Sequence, residues 1–302
     1  MEARLDRLER LCPVSPAEVL EELKAGSLDS LGGRIWRVFG LRGSCHRLLG
    51  QYSEAESAFA VAILASVGEP GAETDLCRRA ARLHADRGEI SSAISLATRA
   101  CRLAESAVAE ARARIDLAAI FCSTRSELKR ACRIVGDAKR LLDGRDPYLA
   151  YAEQIELFCW AESNMSHLTR SEARARLDGI AALIAPSPGS IGYASLMWLT
   201  GVVFRRTQDF EEAFGCFEQA RLAFGANRAW PQTTLCVVET VLTARRAGQQ
   251  AAHSTEVGRL FPLVPKLQGH DRIEATRLLR AAANGTLSLS DLERSQHVFA
   301  LR

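Results

Sequence analysis

Lysine is nearly missing from this chain. Only Lys24, Lys129, Lys139 and Lys266 are lysines among 39 basic residues. Arginine, which offers a planar fork of donors to a carboxylate or phosphate, therefore carries almost all the positive charge. A GC-rich coding sequence produces the same bias with no such role. The net charge of +3 over 302 residues is too small to imply a nucleic-acid or membrane partner. Nine cysteines are present, but their number is odd and no Cys-x-x-Cys occurs. That argues against a disulfide framework or a structural zinc site and for small buried hydrophobes in a reducing cytosol. The N-terminus lacks the apolar core of a signal peptide, and the longest strongly apolar run, around 193–204, is too short to span a bilayer. A cytoplasmic protein is expected.

Signatures of catalysis are also missing. There is no His-Glu-x-x-His, no Gly-x-Ser-x-Gly and no phosphate loop. Cys45 and His46 are neighbours, but adjacent helical residues do not face each other, so they form no nucleophile–base pair by themselves. The sequence predicts no enzyme, no cofactor and no metal site. Alternation of period two is absent too, which removes a sheet. What remains is rich in alanine, leucine and arginine, a helical bias.

The stretch Gly50–Ala62 supplies the organising pattern: a turn, then a helix with Ala55, Phe59 and Ala62 on one face. Ala55 has counterparts at Ala93 and Ala131, 38 residues apart each time (93 − 55, 131 − 93). Gly50 recurs as Gly88, His46 as His84, and Ala62 as Ala100 and Ala138. Later, Gly201, Phe204, Phe210, Ala213, Phe217 and Ala220 repeat the order. Such self-similarity signals stacked helical pairs. The expected organisation is cap helices over 1–33, repeats over 34–265 with pairs near 34–66, 74–105, 108–142, 148–185, 193–225 and 231–261, and cap helices over 266–302. Seven of the nine prolines fall at or between the pairs, where no helical hydrogen bond is lost. Pro70 and Gly71 read as a break before the second pair, 185–189 as a hinge or an inter-repeat turn, and Ser290 with Glu293 as the capping box of the last helix.

These residues resemble the tetratricopeptide repeat family, best over 36–66 and 194–224, and more generally the bacterial tetratricopeptide proteins that act as regulators or adaptors. The spacing of 38–42 residues is longer than the family's usual ~34. The resemblance implies an all-α fold, a right-handed α-α superhelix of about six helical pairs, whose first helices line a concave face. On that register the face would carry Arg37, Arg47, Arg78, Arg82, Asp116, Glu162, Trp198, Arg205, Arg206, Arg245 and Arg246. Trp198 reads either as a partner anchor or as packed core. The lysine–asparagine pairs that clamp a C-terminal carboxylate in some members are missing. The implied function is a non-catalytic scaffold or adaptor binding a protein or peptide segment, one with acidic groups suiting the arginines. The alternatives are a peptide or small-ligand sensor acting on a separate transcription regulator, and a nucleic-acid-associated repeat. Self-association is a further expectation; a membrane partner is not.

Overall fold

A computed structural model describes residues 2–13, 15–25, 35–124, 127–144, 146–163, 169–184, 189–249, 255–267 and 269–299. The fold is an α-α superhelical repeat, and no strand occurs among the described residues. Two short helices, α1 (Glu2–Leu11) and α2 (Pro16–Ala25), precede the pairs. The first pair is α3 (Ile35–Leu48) and α4 (Tyr52–Ala65), and the second is α5 (Pro70–Asp86) and α6 (Ile90–Leu103). The third is α7 (Ala107–Thr124) and α8 (Leu128–Lys139), the fourth α9 (Pro147–Glu162) and α10 (Arg170–Ile184). The fifth is α11 (Ile191–Arg206) and α12 (Phe210–Ala226). In the sixth, α13 (Trp230–Arg246) is a full helix, but its partner stretch differs from the expected helix over 250–261. Residues 250–254 lie outside the described set, 255–258 form one helical turn, and Pro262 and Pro265 leave a 3-10 turn at Val264–Lys266. The chain ends in α14 (Gly269–Ala283) and α15 (Leu289–Phe299).

One turn is used repeatedly. The backbone N–H of Gln51, Glu89, Asp209, Ala229 and Gln249 each donates to the carbonyl five residues earlier at 2.8–2.9 Å. This closes the preceding helix with a left-handed residue. Gly50, Gly88 and Gly248 supply that conformation (φ +72°, +78°, +75°). Gln208 (φ 66°) and Arg228 (φ 57°) adopt it without glycine, so those two turns store strain that packing must offset.

Two sequence-level helix starts shift. Pro70 does not break the chain before α5; it opens α5 at the first helical position, where its missing N–H costs nothing. The capping box of α15 is Ser288 with Asp291, not Ser290 with Glu293. Ser288 N–H donates to Asp291 Oδ2 (2.9 Å) and Asp291 N–H to Ser288 Oγ (3.1 Å). The Ser288 hydrogen bonds and Arg277 pull Asp291 well below the usual carboxylate range.

Within a pair, glycine lets the helices close on an aromatic ring. A Cβ on Gly43 would stand 2.9 Å from the Phe59 ring, and one on Gly201 only 2.6 Å from the Phe217 ring. Phe59 and Phe217 are buried beneath them, and Ala55, Ala62, Ala213 and Ala220 have no exposed surface. Gly201→Ala should therefore overpack the fifth pair and cost about 1–3 kcal/mol in urea unfolding. The double change Gly201→Ala with Phe217→Leu should recover part of it by making room. Equal stability of Gly201→Ala and the parent would contradict this packing.

The superhelix closes on itself. Gly50, at the first inter-helix turn, meets Pro231 at the start of α13; a Cβ there would lie 3.2 Å from the proline ring. Tyr52 OH donates to Asp271 Oδ2 of α14 at 3.2 Å. These two contacts bring the first pair against the last helices, across the concave face.

Candidate binding cavity and its charge ladder

First helices of neighbouring pairs are joined by arginine–carboxylate contacts. Arg47 Nη1 on α3 donates to Asp86 Oδ2 on α5 at 2.8 Å. Arg78 Nε and Arg82 Nε on α5 converge on Asp116 of α7 at 2.8 and 3.0 Å. Asp116 has no exposed surface. Arg112 on α7 reaches Asp146, which also caps α9 by accepting from Tyr148 N–H at 2.8 Å. Arg205 on α11 lies between Glu162 on α9 (2.9 Å) and Glu239 on α13, and Gln296 of α15 donates to the same Glu239 oxygen. Each carboxylate sits about one repeat along the chain from its arginine, so the pairs act as rungs between stacked units.

The carboxylate side chains of the rungs are at most 10% exposed, as are Arg47, Arg78 and Arg205, while Arg82 and Arg112 stay partly exposed. Burial disfavours the charge on Arg205, but Glu239 and Glu162 more than offset it and hold the guanidinium above its usual value. Burial and Asp116 act on Arg82 in the same opposed way, again with a net rise. Arg78 and Arg82 also lie over the Tyr148 and Tyr151 rings, 5.0 Å from each centroid. Burial pushes the Tyr151 hydroxyl up to about 12, so it is neutral at physiological pH.

A cavity of about 360 Å³ occupies the centre of the closed superhelix. Side chains from all six first helices border it. Its polar lining is the Arg47–Asp86 and Arg82–Asp116 pairs, Tyr151, Gln154, Ser195 and Gln232. Apolar lining predominates and includes Ile120, Ile184, Ile191, Trp198 and Phe224. The cavity runs obliquely. From α3, α5 and α7 it takes residues of the C-terminal half, such as Leu48, Asp86 and Ser123. From α9, α11 and α13 it takes the N-terminal half, such as Tyr151, Ser195 and Gln232. A second cavity of about 350 Å³ adjoins it, bordered by Arg47, Arg78, Arg79, Arg82 and Arg112 with Glu9, Asp75 and Asp116.

Of the residues the sequence singles out, Arg47, Arg82, Asp116 and Trp198 meet at the central cavity, and Arg78 stands in the adjoining one. Trp198 is 6% exposed and stacks on Phe158 at 5.5 Å; its indole N–H has no partner among the described residues. The others lie elsewhere. Arg37 is bound by Glu9 and Asp6 of α1. Glu162 and Arg205 form the buried cluster with Glu239. Arg245 donates to the Leu287 carbonyl, and Arg246 pairs loosely with Glu293 of α15 at 3.5 Å. Arg206 is exposed, with no ion pair among the described residues. Sequence reasoning missed Tyr151, Gln154, Ser195, Gln232 and Phe224. The first four lie on first helices, about one to four turns before the positions chosen, so a register allowed to drift along the superhelix would have reached them. Phe224 belongs to a second helix and carries no such signal.

No helix among the described residues is long and apolar enough to cross a membrane, and no group of metal-ligating side chains gathers there. No family model and no curated protein matches the sequence. Among solved structures the chain is similar to a Rap protein complexed with competence and sporulation factor. The TM-score is 0.66 at 12% identity, over 97% of this chain and 84% of that one. At that identity the likeness is one of fold.

Proposed function

We propose that this chain is a non-catalytic regulatory adaptor that takes a protein or peptide segment into its central cavity. The observation that carries this reading is the cavity itself: one space bordered by all six first helices, lined by both apolar side chains and polar groups. A peptide needs both, since its main chain requires donors and acceptors while its side chains seek apolar contact. The similarly folded Rap protein is seen with a bound factor, which supports binding as a use of this architecture. The arginines bordering the cavity are engaged by Asp86 and Asp116, so they offer ion-pair edges more than unopposed positive charge. That favours a ligand with mixed polarity and weakens a nucleic-acid reading, which needs phosphates neutralised by unpaired cations.

Ser195 borders the cavity and is half-buried, so a large side chain there would fill the space without breaking a helix. Panning a random peptide library on the full chain, then titrating selected peptides by calorimetry, tests the reading. Ser195→Trp is expected to weaken binding at least ten-fold, about 1.4 kcal/mol, with circular dichroism unchanged. Undiminished affinity in a folded Ser195→Trp variant would place the binding surface outside the cavity.

A further inference from the structure

Two cysteine pairs touch in this structure. Cys12 Sγ lies 3.2 Å from Cys45 Sγ, and Cys122 Sγ lies 3.2 Å from Cys159 Sγ. All four are free thiols. The separations are equal, but the surroundings are not. Cys122 and Cys159 have no exposed surface and lie in the main apolar core. Cys12 follows α1 beside Pro13 and is 5% exposed, packed with Leu5, Leu8 and Val19 in a smaller apolar core. Unlike the other pair, it borders the arginine-lined cavity of about 350 Å³, with Arg47 and Arg79 on its wall. Cys45, on α3, has no exposed surface and stands behind it.

We propose that Cys12 and Cys45 form a peroxide-sensitive thiol pair, with Cys12 the attacking sulfur and Cys45 the resolving one. A thiolate is the reactive form of cysteine, and neighbouring guanidinium groups favour it. The Cys45 contact, with Arg79 and Arg47, draws Cys12 below the usual thiol range against burial and Glu9. Contact with Cys12 and burial push Cys45 the other way, so it keeps its proton. The oxidant is hydrogen peroxide entering by the cavity. The Cys12 thiolate attacks one peroxide oxygen and the O–O bond breaks. Cys12 becomes a sulfenic acid, and the departing hydroxide takes up the proton that the thiol gave, leaving as water. Cys45 sulfur then attacks Cys12 sulfur, the S–O bond breaks, and the Cys45 proton leaves with the hydroxide as a second water. Two thiols and one peroxide give one disulfide and two waters; two electrons pass from sulfur to oxygen.

Closing the bond to the usual ~2.05 Å asks for a small movement only. It would tie the end of α1 to α3 beside Pro13 and Leu48, which border both cavities. Oxidation would thus fix one wall of the central space, whatever that space binds.

The test is non-reducing peptide mapping of the full reduced chain after brief hydrogen peroxide treatment and alkylation. Trypsin should release peptide 11–24 joined to peptide 43–47, formed at least about ten-fold faster than any Cys122–Cys159 link, because Cys12 borders a cavity with cations on its wall and the second pair does not. In Cys45→Ala the sulfenic acid should persist at Cys12 and be trapped by dimedone; in Cys12→Ala, Cys45 should stay unmodified. Fully alkylated Cys12 and Cys45 after peroxide would overturn the proposal. So would Cys122–Cys159 linking first, or dimedone appearing on Cys45 in place of Cys12. Mapping of the parent chain decides the matter even if a variant fails to fold.

Discussion

Arg205→Met should destabilise the protein by about 3–5 kcal/mol, read as a lowered urea midpoint. Removing one partner of a buried ion pair leaves the other charge uncompensated. Arg205 is 3% exposed and Glu239 has no exposed surface, so no water can replace the guanidinium. The loss would be spread over four helices, because Arg205 joins α9, α11 and α13 and Glu239 holds Gln296 of α15. The double change Arg205→Met with Glu239→Met should recover part of the stability: replacing a buried pair by apolar side chains is often neutral or better, but Glu162 still loses Arg205 and Gln296 loses Glu239. If the single change proves neutral, the cluster does not hold the last pairs together. If the double change is no better than the single, the cost lies in packing and not in the stranded charge.

Asp116→Ala is the second large effect, expected at about 3–5 kcal/mol on the same physical ground. It strips Arg78 and Arg82 of their shared acceptor, which has no exposed surface. Arg78 keeps Asp75 at 3.0 Å and the Tyr148 hydroxyl, so Arg82 should account for most of the loss. Arg82→Met added to Asp116→Ala should then restore stability more than Arg78→Met does. Thermal melts of the three variants check the order, and the reverse order would assign the main rung to Arg78. The same geometry makes charge reversal of these arginines unsuitable as a test of binding. Arg78→Glu and Arg82→Glu would place carboxylates against buried Asp116, so unfolding is expected, and lost binding in such variants would say nothing of the partner.

Much of the architecture was legible because a stacked helical pair writes itself into sequence at short range. Ala55, Phe59 and Ala62 share one helix face, and Gly43 and Gly201 are small because an aromatic ring occupies the space a Cβ would need. The inter-helix turns recur because each needs one left-handed residue; Gly50 and Gly88 advertise it, while Gln208 and Arg228 conceal it. Local cues also misled. Pro70 reads as a breaker and a starter alike, and Ser288 and Ser290 both precede an acidic residue by three. Only the backbone path chooses between them.

The cavity was legible in part. Arg47, Arg82, Asp116 and Trp198 fall on inward faces that the repeat predicts. The sequence could not show that arginines and carboxylates on successive first helices would meet, because 34 residues separate Arg82 from Asp116 and Arg205 from Glu239. Residues this far apart touch only if the pairs stack in one register. Read singly, the arginines looked like donors awaiting an acidic partner; paired, many of them are structural.

The sequence by itself determined the helical repeat and the faces that pack, since both depend on contacts within one pair. The tertiary structure alone decided which charges are spent inside the protein and where the free space lies. The ends meet at Gly50 and Pro231, and the inward face drifts from the C-terminal halves of α3, α5 and α7 to the N-terminal halves of α9, α11 and α13. The physical reason is cumulative rotation: a small turn between neighbouring pairs is invisible in any one repeat, and it fixes the shape of the whole only after six.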